Sequence, residues 1–232
     1  MQVVSLYDMT GIALEPWRDA GFECFAYDIA HEDHERDGIQ FRHADLHDPA
    51  TFARLMEEHG SKVVFMSAFP VCTDLAVSGA AWFAKKREAD PDFQNKAAGY
   101  ARMCGQLGDY FGCPYFVENP VSVLSTLWRK PDYSFHPFEF GGYLPEDDQH
   151  PKWPDYIAPR DAYSKKTCLW TGRHFVMPEK KEVECDSFGN SQQHAKLGGK
   201  SEKTKNIRSA TPRGFARAVF EANKGWGEAK WL

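Results

Sequence analysis

Three short stretches carry the side chains that could do chemistry. Cys72 follows the apolar run from Lys62 to Met66 by way of Phe69-Pro70-Val71, which sets it on a turn just past a strand. A thiol held there can be exposed, and a nearby helix N-terminus favours the thiolate that acts as a nucleophile. Taken alone, an inert buried thiol is the commoner outcome; Ser78-Gly79, six residues further on, strengthens the nucleophile reading. The second stretch, Glu118-Asn119-Pro120, ends another short apolar run, Pro114 to Val117. A carboxyl beside a thiol has a clear use on a cytosine ring. It can hydrogen-bond the ring nitrogen and the exocyclic amine, which makes carbon 6 electrophilic. Otherwise it is a strand-terminal cap. In the third stretch, the run VVSLY leads into Asp8-Met9-Thr10-Gly11. A strand, an acid, a glycine turn and a helix suit a nucleoside-bearing cofactor, and Asp28 stands about 20 positions later, where a ribose-binding acid belongs. A plain turn with a surface carboxylate is the competing reading.

The elements that must position these residues follow from periodicity. A helix is expected over 12–20, stopped at Gly21, and a strand from Glu23 to Tyr27 ends at Asp28. Asp48 reads as an N-cap with Pro49 at the first helical position, and Gly60 stops that helix. A longer helix runs from about Phe93 to Phe111. Strands alternating with helices predict an α/β fold, a mostly parallel sheet with helices on both faces, and Asp8, Asp28, Cys72 and Glu118 all fall at strand carboxyl ends. Residues 121–163 are rich in Pro, Tyr, Phe and Trp and read as a functional loop or packed insertion, in which Trp128, Arg129, Lys130 and Tyr133 could hold nucleotides. A strand at Thr167–Trp170 is expected to pair with a hairpin partner at His174–Met177, residues 186–206 read as loop, and a last helix follows Pro212.

Bulk properties bound the function. The 232 residues, 42% hydrophobic and 26% charged, suit one α/β domain, taken here as residues 1–232. No apolar run is long enough to span a membrane and no signal peptide is evident, so a cytoplasmic protein without a membrane partner is expected. The six cysteines form no CxxC pair, and His31/His34 and His43/His47 lack partners at ligand spacing; surface histidines are expected rather than zinc. The net charge of −5 argues weakly against nucleic acid, yet Lys196 to Arg217 carries seven basic residues against Glu202 alone.

The ordered set Asp8-Met9-Thr10-Gly11, Asp28, Asp45, Pro70-Val71-Cys72 with Ser78-Gly79, and Glu118-Asn119-Pro120 resembles that of DNA cytosine-5 methyltransferases. The stretches ENPVSVLSTLWRKPD and DAYSKKTCLWTG are similar to those of compact phage and bacterial members, and Thr211 to Ala218 is similar to the family's last motif. The resemblance covers nearly the whole chain. It implies a Rossmann-like methyltransferase fold, S-adenosyl-L-methionine as cofactor and DNA as partner, with the target cytosine flipped out or already single-stranded. By residue, it implies that Tyr7, Asp8, Thr10 and Gly11 wrap the methionine end of the cofactor, with Pro70 alongside. Asp28 takes the ribose and Asp45 the adenine amine. Cys72 adds to carbon 6 and Glu118 grips the pyrimidine edge. Ser78, Asn119, Pro120, Lys165, Lys166 and Arg129 complete the substrate set, with Lys166 standing in for the family's arginine.

Besides the lysine at 166, the chain departs from the family in three places. Ile12 and Ala13 follow Gly11 where more glycine is usual, Val71 replaces a second proline, and only about residues 173–207 are left for target recognition. Three rival readings follow: an enzyme acting on free deoxycytidine nucleotide, one using a variant sulfonium donor, and a silent protein that binds cofactor or DNA.

Overall fold

The computed structural model of the protein describes residues 1–185, 196–198 and 201–226. Strands β1 (Gln2–Leu6), β2 (Glu23–Asp28), β4 (Ile39–His43), β5 (Val63–Ala68) and β6 (Tyr115–Pro120) run parallel to one another. Three more strands are antiparallel to their neighbours: β3 (His34–Arg36) on β4, β8 (Thr167–Gly172) on β6, and β7 (Tyr133–Phe135) on β8. The result is an α/β protein with an eight-stranded, mostly parallel mixed sheet in the order β3-β4-β2-β1-β5-β6-β8-β7. From β1 the chain builds outward through β2 to β4, then returns to the other side of β1 as β5. The order therefore reverses between β1 and β5, the place at which open α/β sheets take their ligands, outside the carboxyl ends of the strands.

Strand periodicity explains why both sheet faces are covered. On one face Val4 and Leu6 of β1 and Phe25 and Tyr27 of β2 pack with Phe52 and Leu55 of α2 (Pro49–His59) and Ala101 and Leu107 of α4 (Phe93–Phe111). On the other, Val3, Cys24, Ala26, Phe65 and Phe116 pack with Trp17 of α1 (Glu15–Asp19) and Phe215 and Val219 of α7 (Arg213–Asn223). Successive side chains on a strand alternate between faces, so near-continuous apolar runs are what a doubly covered sheet requires. Three shorter helices, α3 (Phe83–Ala89), α5 (Leu124–Leu127) and α6 (Glu202–Ser209), lie in connections. Asp48 caps α2 as expected: its Oδ1 accepts from the Ala50 N–H at 2.9 Å, worth about 1 kcal/mol.

The structure corrects several expectations. His174–Met177 forms no strand; β8 is antiparallel to β6 on one side and to β7, inside the 121–163 segment, on the other. That segment is a packed insertion and not an open flap. Phe135, Phe140, Leu144, Ile157 and Tyr163 are buried, and Phe135 stacks on Phe215 at 4.0 Å. Its aromatic–proline composition hides a period because two 3-10 turns, Pro137–Tyr143 and Pro159–Asp161, supply the bends. Within 186–206, α6 begins at Glu202, capped by the Ser201 hydroxyl on the Thr204 N–H; residues 186–195 and 199–200 lie outside those described. The helix expected over 12–20 is a 3-10 turn, Ile12–Leu14, followed by the short α1. His31 is buried and not on the surface, its Nε2 2.9 Å from the Asp8 carbonyl oxygen.

Gly214 shows how tightly α7 meets the insertion. A Cβ at this position would lie 2.4 Å from the Phe140 carbonyl oxygen, a backbone atom that cannot swing away. Gly214→Ala is expected to cost about 2 kcal/mol through overpacking, a fall in melting temperature of roughly 4–8 °C. Thermal unfolding by circular dichroism measures it, and an unchanged melting temperature would contradict this packing.

Candidate active site

Strand register brings together residues far apart in the chain. Leu6 lies opposite both Tyr27 and Ala68, Asp28 opposite His43, and Ala68 opposite Val117. One step further along each strand, Tyr7 and Asp8, Asp28, Asp45, the Phe69–Cys72 turn and Glu118 form a row on the carboxyl edge of the sheet. The row crosses the point where strand order reverses.

The half that holds Cys72 is built from the loops after β5 and β6. The Cys72 carbonyl accepts from the N–H groups of Leu75 and Ala76, at 2.9 and 2.8 Å, so Cys72 opens a tight turn. That turn is sewn to the end of β6. Val77 donates to the Val121 carbonyl at 3.1 Å and Val123 to that of Leu75 at 3.0 Å, with a bridge between Ala76 and Ser122. Asn119 completes the seam. Fully buried, it donates from Nδ2 to the Pro70 carbonyl at 3.0 Å, two residues before Cys72. Asn119 thus positions the cysteine turn instead of facing a substrate, and its buried Oδ1 has no donor among the described residues. Pro120, the last residue of β6, pairs with Thr167 where the ladder no longer needs a donor.

Glu118 lines a narrow cleft, with Phe69, Lys165, Thr167, Thr211 and Phe215 around it. Burial pushes its carboxyl above the usual carboxylate range, and the Lys165 ammonium opposes that shift. The Cys72 thiol is also raised, first by burial and then by the Glu118 carboxylate, with Lys165 and Arg208 acting in the opposite sense. The thiol, the carboxyl and the lysine are therefore electrostatically coupled. Removing the carboxylate by Glu118→Gln is expected to lower the pH midpoint of Cys72 alkylation by iodoacetamide, and Lys165→Met to raise it. Mass spectrometry of the Cys72 peptide reads both shifts. A midpoint that moves in neither variant would break the coupling.

The other half of the row lies on β1, β2 and β4. Asp8 is 3% exposed and turned inward. Its Oδ2 accepts from the Ser5 hydroxyl at 2.8 Å, and its Oδ1 from the N–H groups of Thr10 and Gly11 at 3.0 and 2.7 Å. It shapes the turn that the sequence suggested it would line. Gly11 adopts φ 75°, and a Cβ there would lie 2.8 Å from the Phe41 ring, so both backbone and space call for glycine. Tyr7 sits at φ 56° and donates its hydroxyl to the Leu46 carbonyl at 2.8 Å. Asp28 and Asp45 each use one oxygen on their own turn, accepting from Ala30 and His47 at 2.9 Å. Beside them His47 stacks on Tyr100 at 3.9 Å.

Not every expected residue joins this group. Arg129 belongs to the support of β8: it donates to both Asp132 oxygens, at 2.8 and 2.7 Å, and to the Thr171 carbonyl at 2.8 Å. Trp128 is likewise engaged, stacked on Trp170 at 6.2 Å. Lys165, and not Lys166, lines the cleft with Glu118; its Nζ donates to the Arg208 carbonyl at 2.9 Å while Lys166 is exposed. Ser78 is exposed on the 3-10 turn Val77–Trp82. Asp161 was not foreseen. Buried, it accepts from the Gly214 N–H at 2.8 Å and anchors the start of α7, which walls the cleft. Burial lifts its carboxyl to about 7, partly offset by the Gly214 N–H and Arg213. The separation of 53 positions between Asp161 and Gly214 leaves no local pattern from which the contact could be read.

No protein-family model matches the chain, and no curated protein is similar to it. No helix among the described residues is long and apolar enough to cross a membrane.

Proposed function

We propose that the protein transfers a methyl group from S-adenosyl-L-methionine to carbon 5 of cytosine in DNA, through a covalent adduct at Cys72, on a Rossmann-like methyltransferase fold. The observation that carries the reading is the placement of Cys72, Glu118 and Lys165 at the ends of adjacent strands, with Glu118 and Lys165 lining one cleft and Asp8, Asp28 and Asp45 on the same edge of the sheet. The resemblance of the ordered motifs to DNA cytosine-5 methyltransferases supports it.

The donor set fits a cofactor with a nucleoside end. Asp28 and Asp45 each have a second carboxylate oxygen to offer a hydroxyl or an amine, and the strained Tyr7 turn leads to the Thr10 and Gly11 backbone. When bound, the cofactor supplies an electrophilic methyl group on a sulfonium. This chain's residues would prepare the ring to receive it. The Cys72 thiolate adds to carbon 6 while Glu118, raised by burial and so able to carry a proton, donates to ring nitrogen 3. The electron pair released toward carbon 5 makes that carbon the nucleophile. After transfer, carbon 5 loses its proton to solvent, ring nitrogen 3 returns its proton to the Glu118 carboxylate, and Cys72 leaves carbon 6 as the thiolate, restoring the aromatic ring. Lys165 offers a cation to the pyrimidine oxygen, as a point charge and not as an arginine fork.

Residues 173–185 favour a second reading. They form a short span, part of it tied down, with Lys181 donating to the Glu139 carbonyl and Val183 to that of Phe138. That suits a free deoxycytidine nucleotide. Covalent trapping separates the two. The protein is incubated with S-adenosyl-L-methionine and either a 5-fluorocytosine oligonucleotide or the corresponding free nucleotide, and the denatured mass is measured. An adduct mapped to Cys72 with the oligonucleotide is expected. An adduct with the free nucleotide alone would select the second reading, and none with either would overturn both.

A further inference from the structure

The rim of the Cys72 turn is apolar where a catalytic mouth could be polar. Val71 is 49% exposed, Val77 50%, Val121 41% and Trp82 64%. They form one patch. Val71 adjoins Cys72, Val77 is hydrogen-bonded to Val121 across the seam, and Trp82 closes the same 3-10 turn that Val77 opens. The turn is folded back on the nucleophile loop. Gly79 donates to the Ala76 carbonyl at 2.9 Å, and the Lys86 Nζ in α3 reaches the Thr73 carbonyl at 3.1 Å. An exposed indole therefore stands at the end of the turn that follows the Cys72 loop.

Charge is balanced on one side of the patch and basic on the other. In and around α3, Asp74 pairs with Lys86 at 2.6 Å and Asp90 with Lys96 at 2.7 Å, and Lys85 and Arg87 share the surface with Glu88. Across β6, Lys166 is exposed next to Thr167, which pairs with Pro120, and Lys165 is tied to Arg208 of α6, a cation that acts on the Cys72 thiol. Cations beside an aromatic-apolar strip suit a polyanion whose bases are uncovered. In a duplex the base faces are stacked on one another and only edges and phosphates are presented. An unpaired strand offers π-faces, and its target base needs no flipping.

We propose that Trp82, with Val71, Val77 and Val121, is a stacking platform for the nucleotide beside the target base, and that the strand it serves is single-stranded DNA. The proposal rests on the reading of Cys72 as a nucleophile toward cytosine, which it narrows to one form of substrate.

Fluorescence anisotropy with a labelled single-stranded oligonucleotide, its duplex, and the Trp82→Ala and Trp82→Phe variants tests it, with 5-fluorocytosine trapping run alongside. The single strand should bind more tightly than the duplex. Trp82→Ala should weaken it by roughly tenfold or more, and Trp82→Phe should recover most of that loss. Because Trp82 is exposed, both variants should keep the wild-type melting temperature. Single-strand affinity unchanged in Trp82→Ala, or tighter binding of the duplex, would overturn the platform. The two claims fail separately. Trp82-dependent binding with no Cys72 adduct keeps the platform and removes the chemistry, whereas an adduct formed equally well without the indole does the reverse.

Discussion

Cys72→Ser is expected to lower turnover by about a thousandfold or more while cofactor affinity changes by less than about twofold. The size of the loss follows from the role: a nucleophile that forms the covalent intermediate is not replaced by an oxygen that ionises far less readily. The fold should tolerate the change, since the turn is held by main-chain bonds from the Cys72 carbonyl and by Asn119 on Pro70, not by the sulfur. Single-turnover methyl transfer from labelled cofactor measures the first quantity and calorimetric titration the second. The 5-fluorocytosine adduct should vanish with the sulfur. Cys168→Ser, a buried thiol on β8, is the matched control and should retain the adduct. If Cys72→Ser turned over like the wild type, the covalent mechanism would be falsified.

The second large effect belongs to Glu118. Glu118→Gln should lower turnover about a hundred- to ten-thousandfold, the range of a general acid, and should change the form of the pH profile. In the wild type the resting thiol and carboxylate hold the same number of protons as the reactive thiolate and carboxylic acid. The reactive form therefore stays a fixed fraction of the protein across the range between the pair's two titrations, both raised by burial, and turnover should be flat there. Below that range both groups are protonated, and above it both are ionised, so the rate falls on either side. With glutamine at 118 the thiolate must form by losing its proton to solvent. Turnover should then climb about tenfold per pH unit below the thiol's own titration, with no alkaline fall. A flat profile in Glu118→Gln would take the carboxyl out of the proton inventory.

Much of this protein was legible in the sequence, for a local reason. The strand runs, the Asp48–Pro49 start of α2, the long α4 and the helix after Pro212 are all set by side-chain period and by capping within a turn or two. The carboxyl-end placement of Asp8, Asp28, Cys72 and Glu118 followed once the alternation of strands and helices was recognised. The tertiary structure decided what those residues face. Asp8 turns inward to Ser5, Thr10 and Gly11, and Asn119 turns its amide nitrogen to the Pro70 carbonyl. Lys165 and not its neighbour enters the cleft, because β8 pairs with β6 in a register that ends at Thr167. Arg129 is claimed by Asp132 and Thr171. Strand β7, the outer partner of β8, lay hidden in an aromatic segment because three residues are too few to show a period. Periodicity and capping are properties of near neighbours, so the chain displays them in order. Which oxygen, ring or ammonium meets which partner depends on contacts between distant segments, and those exist only after the sheet has closed around them.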